Sequence, residues 1–250
     1  MIHYFEYNGK DSRDYDVYIT DKSAYNKPQR DISFESVVGR SGDLIIDNGR
    51  YKNLDIEYNL RLFAKEIIGN NNPNDFAFAF SRVADWLRSN NNYCRLTDSY
   101  NPNYYRMAVV NSSISLTQKH PMIGDFSVTF NCKPYIYNFS GDNIIEIAQS
   151  GEVIYNYENS DSLPLIRAYS NNSSSPTTIV FAINERGFSV TNVLDYVDID
   201  SEMMNVYKGE TNMNANYSAS SFPTFNIGSN TITFVANVSK LSIKPRWRSI

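Results

Sequence analysis

A short acidic series in the second half of the chain offers the carboxylates most able to bind a metal ion or to act as a catalytic pair. Its members are Asp195, Asp198, Asp200 and Glu202. On a β-strand the last three would share one face, because side chains alternate between faces. Such a face could hold calcium, act as the carboxylate pair of a glycosidase, or lie in solvent. The spacing is wrong for an EF-hand loop, and the pattern favours a solvated strand and turn.

Histidine and cysteine are scarce. The chain has two histidines, His3 and His120, and two cysteines, Cys94 and Cys132. In the sequence neither histidine lies beside a nucleophile or a second ligand, as a catalytic triad or a zinc site would need. We interpret the cysteines as free thiols in a reducing compartment. Since the sequence also lacks Walker, GxGxxG and GxSxG motifs, it predicts no cofactor, no structural metal and no hydrolase activity.

An aromatic and basic cluster is the remaining candidate for ligand binding. Tyr100, Tyr104 and Tyr105 are flanked by Arg95 and Arg106, and tyrosine can stack on a sugar ring or a base. The chain has 19 tyrosines, so structural tyrosines in a sheet are the favoured interpretation. A net charge of −4 argues against a protein that wraps nucleic acid. The distribution of apolar residues along the sequence predicts neither a membrane span, which needs ~20 apolar residues, nor a secretory signal.

Alternating apolar and polar residues predict β-strands in the first half of the chain. The alternation is clearest from Asp55 to Phe63 and is repeated in residues 32–38 and 126–132. It is typical of an antiparallel sheet with one buried and one solvated face. Asn48-Gly49 precedes the first of these strands and predicts a tight hairpin turn, and Asn8-Gly9 is a weaker second case.

One segment of the first half has helical periodicity. Apolar side chains recur at the spacing of a single helix face at Phe76, Phe80, Val83, Ala84 and Leu87. Pro73 suits the first helical position, because its missing N–H is not needed there. The apolar stripe predicts a helix that packs on the sheet, rather than a helix that lines a ligand groove.

A change in residue composition between residues 134 and 143 predicts a domain boundary. Five turn-forming residues interrupt an aromatic stretch there: Pro134, Asn138, Ser140, Gly141 and Asp142. The following residues show short strand patterns separated by turn signals, among them 184–187 and 228–230, which favours an all-β sandwich. The predicted fold class is mainly β, with an N-terminal β domain containing one α-helix (1–136) and a C-terminal β-sandwich (137–250).

Three segments, taken together and in order, resemble the distal tail proteins of long-tailed, siphovirus-type bacteriophages. The first is a turn after a strand, formed by Gly39, Arg40, Gly42 and Asp43 and followed by Asn48 and Gly49. The second is an exit from the N-terminal domain that contains Cys132, Lys133 and Pro134. The third is a C-terminal run that includes Gly228, Asn230, Pro245 and Trp247. No segment is specific alone, but their order over nearly the whole chain supports the resemblance.

The glycines of the first segment allow a structural prediction. Gly39, Gly42 and Gly49 each lie in a predicted turn beside a strand. A positive φ is open to glycine because it has no Cβ to clash with the backbone. We therefore expect a positive φ at one or more of the three.

The resemblance implies a non-enzymatic structural hub, or baseplate component, in the virion. Distal tail proteins form a hexameric ring that joins the tail tube to the host-adhesion apparatus. The N-terminal domain makes the ring, and a galectin-like C-terminal sandwich points outward. The implied partners are five further copies of the chain, the tail tube protein, a tail-associated adhesion or lysin protein, and a receptor-binding protein. The implied location is the tail tip, after assembly in the host cytoplasm.

Two other functions stay open from the residues alone. A carbohydrate-binding jelly-roll protein of a phage adhesion device would need exposed tryptophan or tyrosine on a sheet face. A glycosidase would need two carboxylates that flank a cleft, for which the acidic series is the sole support. Glycan binding would favour the first, and release of reducing sugar the second.

Overall fold

The computed structural model describes residues 2–22, 26–64, 73–235 and 237–250. These residues divide into two compact units. The first unit is Met1–Ile136 together with Ile250, and the second is Tyr137–Ser249. No helix in the described part of the chain is long and apolar enough to cross a membrane.

The first unit contains an antiparallel sheet, a separate two-stranded sheet and one described α-helix. Its elements are β1 (Phe5–Tyr7), β2 (Lys10–Asp11), β3 (Val17–Lys22), β4 (Arg30–Glu35), β5 (Leu44–Tyr51), β6 (Leu54–Phe63), α1 (Pro73–Leu87), β7 (Cys94–Asp98), β8 (Tyr104–Val110), β9 (Leu116–His120) and β10 (Ile123–Asn138). The main sheet has the order β2-β1-β7-β8-β10-β6-β3, with β9 beside β10. The β4 and β5 strands pair with each other to form the two-stranded sheet.

The core of the first unit lies between the main sheet and α1. Burial alternates strictly along β6 from Leu54 to Leu60, which confirms the predicted half-buried strand. The predicted helix is also confirmed, and its apolar stripe packs into the core cluster. The Trp86 ring of α1 stacks between the rings of Phe5 and Tyr15, with centroid distances of 5.5 and 4.4 Å. Such aromatic contacts fix the position of the helix on the sheet.

The prediction of a hairpin turn at Asn48-Gly49 is wrong. Both residues lie inside β5, where one residue of β4 faces three residues of β5. Gly49 has a φ of 67°, so it supplies the left-handed residue of a bulge within the strand. The weaker candidate, Asn8-Gly9, does form a two-residue hairpin between β1 and β2, with φ values of 52° and 70°. Both features need a positive φ, which explains why the sequence alone did not separate them.

The second unit is a two-sheet sandwich. Its strands are β11 (Ile145–Ile147), β12 (Glu152–Asn156), β13 (Leu165–Ser170), β14 (Thr177–Ile183), β15 (Arg186–Val193), β16 (Tyr196–Asp200), β17 (Asn205–Lys208), β18 (Thr211–Asn212), β19 (Tyr217–Ser218), β20 (Gly228–Phe234), β21 (Val238–Lys244) and β22 (Arg248–Ser249). One sheet has the order β11-β21-β13-β16-β17-β18, and the other has the order β12-β20-β14-β15-β19. Inward side chains from both sheets form one core cluster.

The mainly β fold class is confirmed, but one local prediction in the second unit is wrong. Pro134 itself lies inside β10, which continues through it to Asn138. The β10 ladder with β6 ends at Cys132, so the missing N–H of Pro134 leaves that ladder intact. Residues 228–230 are not a turn but the start of β20, paired with β12. The turn at 184–187 is confirmed as the β14–β15 hairpin.

Gly141 provides a stability prediction for the second unit. A Cβ at this position would lie 2.2 Å from the main-chain nitrogen of Trp247, which is too close for any real contact. We expect Gly141→Ala to lower the free energy of unfolding by about 2 kcal/mol or more, because backbone must shift to admit the methyl group. Gly187→Ala is the matched control, since nothing lies within 4 Å of the added carbon.

Urea unfolding followed by Trp247 fluorescence, in a Trp86→Phe background, measures this effect. The chain has two tryptophans, and each unit contains one of them, so the remaining signal reports on the second unit. An equal midpoint for Gly141→Ala and Gly187→Ala would contradict the close backbone approach at Gly141.

Candidate functional site

The β4–β5 hairpin is the most exposed apolar feature of the first unit. Burial is low on both faces of its two strands, although their alternation is typical of a half-buried strand. Six of its apolar side chains are exposed: Phe34, Val37, Val38, Leu44, Ile45 and Ile46. Val38 is fully exposed, and Ile45 and Phe34 are 63 % and 58 % exposed. Clustered apolar exposure of this kind marks an interaction surface.

Ionic and aromatic contacts hold the base of the hairpin. The Asp31 carboxylate is buried and lies 2.7 Å from Arg50 Nε and 3.6 Å from Lys52 Nζ. The ring of Tyr51 meets that of Tyr135 edge-on, with a centroid distance of 6.3 Å. The ion pairs join the two strands of the hairpin, the Tyr51–Tyr135 contact joins its base to β10, and its apolar side chains stay uncovered.

The first resembling segment forms the loop at the tip of this hairpin. The Arg40 N–H donates to the Val37 carbonyl at 3.1 Å, which closes a turn around Gly39. Gly39 and Gly42 have φ values of 82° and 86°, so the prediction of a positive φ is confirmed at both, as it is at Gly49. Arg40 and Asp43 are exposed in the same loop. The glycines therefore shape the tip, and Asn48 lies beside the bulge in β5.

All four carboxylates of the acidic series in the second unit form ion pairs. The pairs join Asp195 to Lys208, Asp198 to Arg167, and Asp200 and Glu202 to Arg246. Asp198 and Asp200 are 4 % and 3 % exposed, so the interpretation of a solvated strand face is wrong for these two. Each accepts two hydrogen bonds of 2.7–2.8 Å from one guanidinium. Within the described ranges no cluster of three or more His, Cys, Asp or Glu could hold a metal ion.

Asp200 connects the acidic series to the C-terminal segment. Burial alone would raise its pKa, but the bonds from Arg246 and from the N–H groups of Glu202 and Met203 outweigh burial and lower the pKa below 3.8. Arg246 lies between the buried residues Pro245 and Trp247. This ion pair therefore fixes the end of the chain onto the sandwich.

The other residues of the C-terminal segment also have structural contacts. The Asn230 side chain is fully buried, donates to the Asn226 and Gly228 carbonyls, and accepts from the Asn226 N–H. Gly228 has a φ of 88° at the start of β20. The Trp247 ring lies 5.7 Å from that of Phe225 in the core. These residues stabilise the sandwich, and the hydrogen bond from Asn230 to the Gly228 carbonyl fixes the start of β20.

The predicted junction residues lie along β10. Cys132 is fully buried, and burial raises the pKa of its thiol to about 12, so it stays protonated. The Lys133 ammonium lies 5.5 Å from the Tyr93 ring centroid. Cys94 is also a buried free thiol. The junction therefore consists of a continuous strand and not of an exposed linker.

The two histidines are in different surroundings. His3 stacks on Tyr100, and its Nδ1 lies 3.1 Å from Ser99 Oγ, which also accepts the Tyr4 N–H. His120 is exposed at the end of β9. The Ser99 hydroxyl thus holds the segment of His3 and Tyr4 in place, which is a structural role.

Part of the aromatic and basic cluster lines a cavity. Arg95 lies over the Tyr105 ring at 4.3 Å. Arg106 lines a cavity with Tyr104 and Tyr105. Lys22 and Asp98 lie in the same cavity, and sequence reasoning missed both, because β3 and β7 are remote in the chain.

A comparison with protein families identifies the first unit. A family model described as "Phage tail protein N-terminal domain" matches residues 1–134, more than half of the chain. The chain belongs to this family of phage tail proteins. The matched residues include the β4–β5 hairpin, α1 and strands β1–β9, so the exposed apolar surface lies within the part of the chain that the family model matches. No curated protein sequence matches the chain.

The fold of this phage tail protein extends the similarity beyond the family match. The crystal structure of the SPP1 Dit protein superimposes with a TM-score of 0.73 at 11 % sequence identity. The alignment covers 97 % of this chain and 98 % of the SPP1 chain. That protein is described as a paradigm of the hub adsorption apparatus in phages that infect Gram-positive hosts. The two chains therefore share a fold over both units, and the sandwich agrees with the galectin-like domain that the resemblance implies.

Proposed function

We propose that this chain is the distal tail hub of a siphovirus-type phage and assembles as a hexameric ring at the tail tip. The observation that carries the proposal is the combination of a phage tail domain over residues 1–134 with a Dit fold over 97 % of the chain. The ring would join the tail tube protein to a tail-associated adhesion or lysin protein and to a receptor-binding protein. It would be assembled in the host cytoplasm and carried in the virion.

The β4–β5 hairpin supplies the ring contact in this proposal. Its exposed apolar side chains need a partner surface, since burial of such a side chain contributes about 1.5–3 kcal/mol. A hairpin that docks onto a different surface of the next copy makes a heterologous contact, and such contacts close into a ring when the rotation allows. The first unit would then form the ring, leaving the sandwich to meet the adhesion proteins.

The proposed role is structural and not enzymatic. The carboxylates that could have formed a glycosidase pair are held by arginines in the sandwich, with Asp198 on Arg167 and Asp200 on Arg246. A carboxylate in a bidentate ion pair is a weak base and a poor nucleophile. This pairing favours a scaffold over a hydrolase.

Dividing the chain at residue 136 tests the proposal. We expect residues 1–136 to form rings, because they contain the hairpin and their own core. We expect residues 137–250 to be a folded monomer, since they retain the contacts of Tyr137 with Glu202 and of Asn138 with Glu158. Size-exclusion chromatography with light scattering measures both masses. An oligomeric sandwich beside a monomeric N-terminal unit would reverse the proposed division of roles.

A carbohydrate-binding role is the alternative, and a pair of exposed tyrosines favours it. Tyr155 and Tyr157 are 50 % and 87 % exposed, and their ring centroids lie 4.4 Å apart. The two tryptophans are buried and cannot stack on a sugar. Glycan-array binding by the full chain that is lost in Tyr157→Ala would favour this alternative.

A further inference from the structure

A cavity inside the first unit contains a buried arginine without a full set of partners. The cavity has a volume of about 80 Å³ and is lined by residues of β3, β6, β7 and β8. Arg106 of β8 lies in its wall, on the same strand face as the core residues Ala108 and Val110. Its Nη1 atom is buried and has no hydrogen-bond partner among the described residues. A buried guanidinium N–H without an acceptor is unfavourable and rare in native proteins.

The nearby acid, Asp98, does not supply the missing acceptor. Its Oδ2 accepts from the Tyr58 hydroxyl at 2.5 Å and from Lys22 Nζ at 2.6 Å. Its Oδ1 accepts the N–H groups of Tyr100 and Asn101 at 3.0 and 3.2 Å. Both oxygens are thus occupied by groups other than Arg106.

The electrostatics of the cavity are accordingly positive. Burial lowers the pKa of the Arg106 guanidinium, and its electrostatic interactions with Cys132, Tyr58 and Asp98 only partly offset that effect. Two lysines also line the cavity: Lys22 pairs with Asp98, the single acidic residue among the described lining residues, and Lys27 donates to the Ile250 oxygen, so Arg106 is the cation left to be balanced. An arginine remains charged at any physiological pH, so the cavity retains an excess of positive charge.

We propose that this cavity binds a small carboxylate that pairs with the Arg106 guanidinium. The guanidinium plane matches a carboxylate in geometry and charge, and such pairs are among the stronger hydrogen-bonded contacts in proteins. The volume suits a group of a few heavy atoms. A carboxylate fits better than a phosphate, because Asp98 would repel the second negative charge of a phosphate. The carboxylate would come from a free small acid or from an acidic side chain of a polypeptide.

Acetate is the probe that tests this site on the full chain. We expect the acetate methyl signal to show saturable binding by saturation-transfer NMR, and acetate to raise the melting temperature at constant ionic strength. Acetamide, which has the same shape without the charge, should do neither. N-acetyl-aspartate N-methylamide serves as the side-chain arm: tighter binding than acetate indicates a polypeptide source, and weaker binding indicates a free acid.

Arg106→Met provides the specificity test. It should weaken acetate binding at least about tenfold, because it removes the charged donor. It should also melt higher than the wild type without acetate, since a buried unpaired charge is removed. Arg186→Met, which removes the same charge from an exposed position in the second unit, should bind acetate like the wild type.

Two results would overturn the proposal. One is equal saturation transfer to acetate and acetamide in the wild type, a result that needs no variant to fold. The other is an acetate response in Arg106→Met equal to that of Arg186→Met.

Discussion

Serine at three exposed positions of the β4–β5 hairpin should convert the proposed ring of this chain into folded monomers. The substitutions Phe34→Ser, Val38→Ser and Ile45→Ser remove apolar surface that the described residues leave exposed. Each such side chain contributes about 1.5–3 kcal/mol when buried, so the contact between copies should weaken by about 1000-fold or more. Sedimentation velocity over a range of protein concentrations measures the change.

The control for this variant has the same chemistry in the other unit. Ile144→Ser, Val153→Ser and Ile227→Ser change three side chains that are 58–66 % exposed in the second unit. This control variant should assemble like the wild type. Rings that persist in the hairpin variant, or that are lost equally in both variants, would exclude the hairpin as the ring contact.

Arg246→Met should strongly destabilise the sandwich. It removes the guanidinium that pairs with Asp200 at 2.7 and 2.8 Å, leaving a carboxylate that is 3 % exposed without its cation. Breaking a buried pair in this way costs about 3–5 kcal/mol. Lys240→Met is the control, because its pair with Glu146 is about half exposed and should contribute less than about 1 kcal/mol. Urea unfolding followed by Trp247 fluorescence compares the two.

Adding Asp200→Asn to Arg246→Met separates charge from packing. The amide retains an acceptor for the Glu202 and Met203 N–H groups but carries no charge, so part of the lost stability should return. No recovery would mean that the loss came from packing of the Arg246 stem.

The same pair predicts a pH dependence. In the wild type the pKa of Asp200 lies below 3.8, so its contribution to stability is present above that pH and is lost as the pH falls through the folded-state pKa. In Arg246→Met, burial is no longer offset by the arginine, and the pKa should rise. Protonation of Asp200 then stabilises the variant relative to the wild type, so the difference in unfolding free energy should be largest at neutral pH and should shrink as the pH falls through the raised pKa of the variant. A constant difference would contradict the electrostatic origin.

The sequence predicts elements best where one physical requirement dominates. Alternation along β6 and the apolar stripe of α1 identify both, because a half-buried strand and a docked helix each need one pattern. Asn48-Gly49 was misplaced because a bulge and a hairpin turn both need a positive φ. The hairpin strands alternate like buried strands, yet they are exposed in the single chain, since alternation does not say which molecule covers the apolar face.

Site residues were harder to predict, because their partners are distant in the sequence. The acidic series could be found by residue type, but its pairing with Arg167 and Arg246 depends on neighbouring strands and on the end of the chain. The Arg106 cavity likewise needs Lys22 and Asp98 from two other strands. The tail-protein family was indicated by three segments in order over nearly the whole chain, because no single residue pattern is specific to it, and the family model confirms it.

The mass of the purified full chain tests the central claim most directly. A native mass spectrum, with class-averaged electron micrographs of the same sample, should show a closed ring of six chains of 28.6 kDa each. A chain that remains monomeric at high concentration, with no rings in the micrographs, would contradict the account of this protein as a ring-forming tail hub.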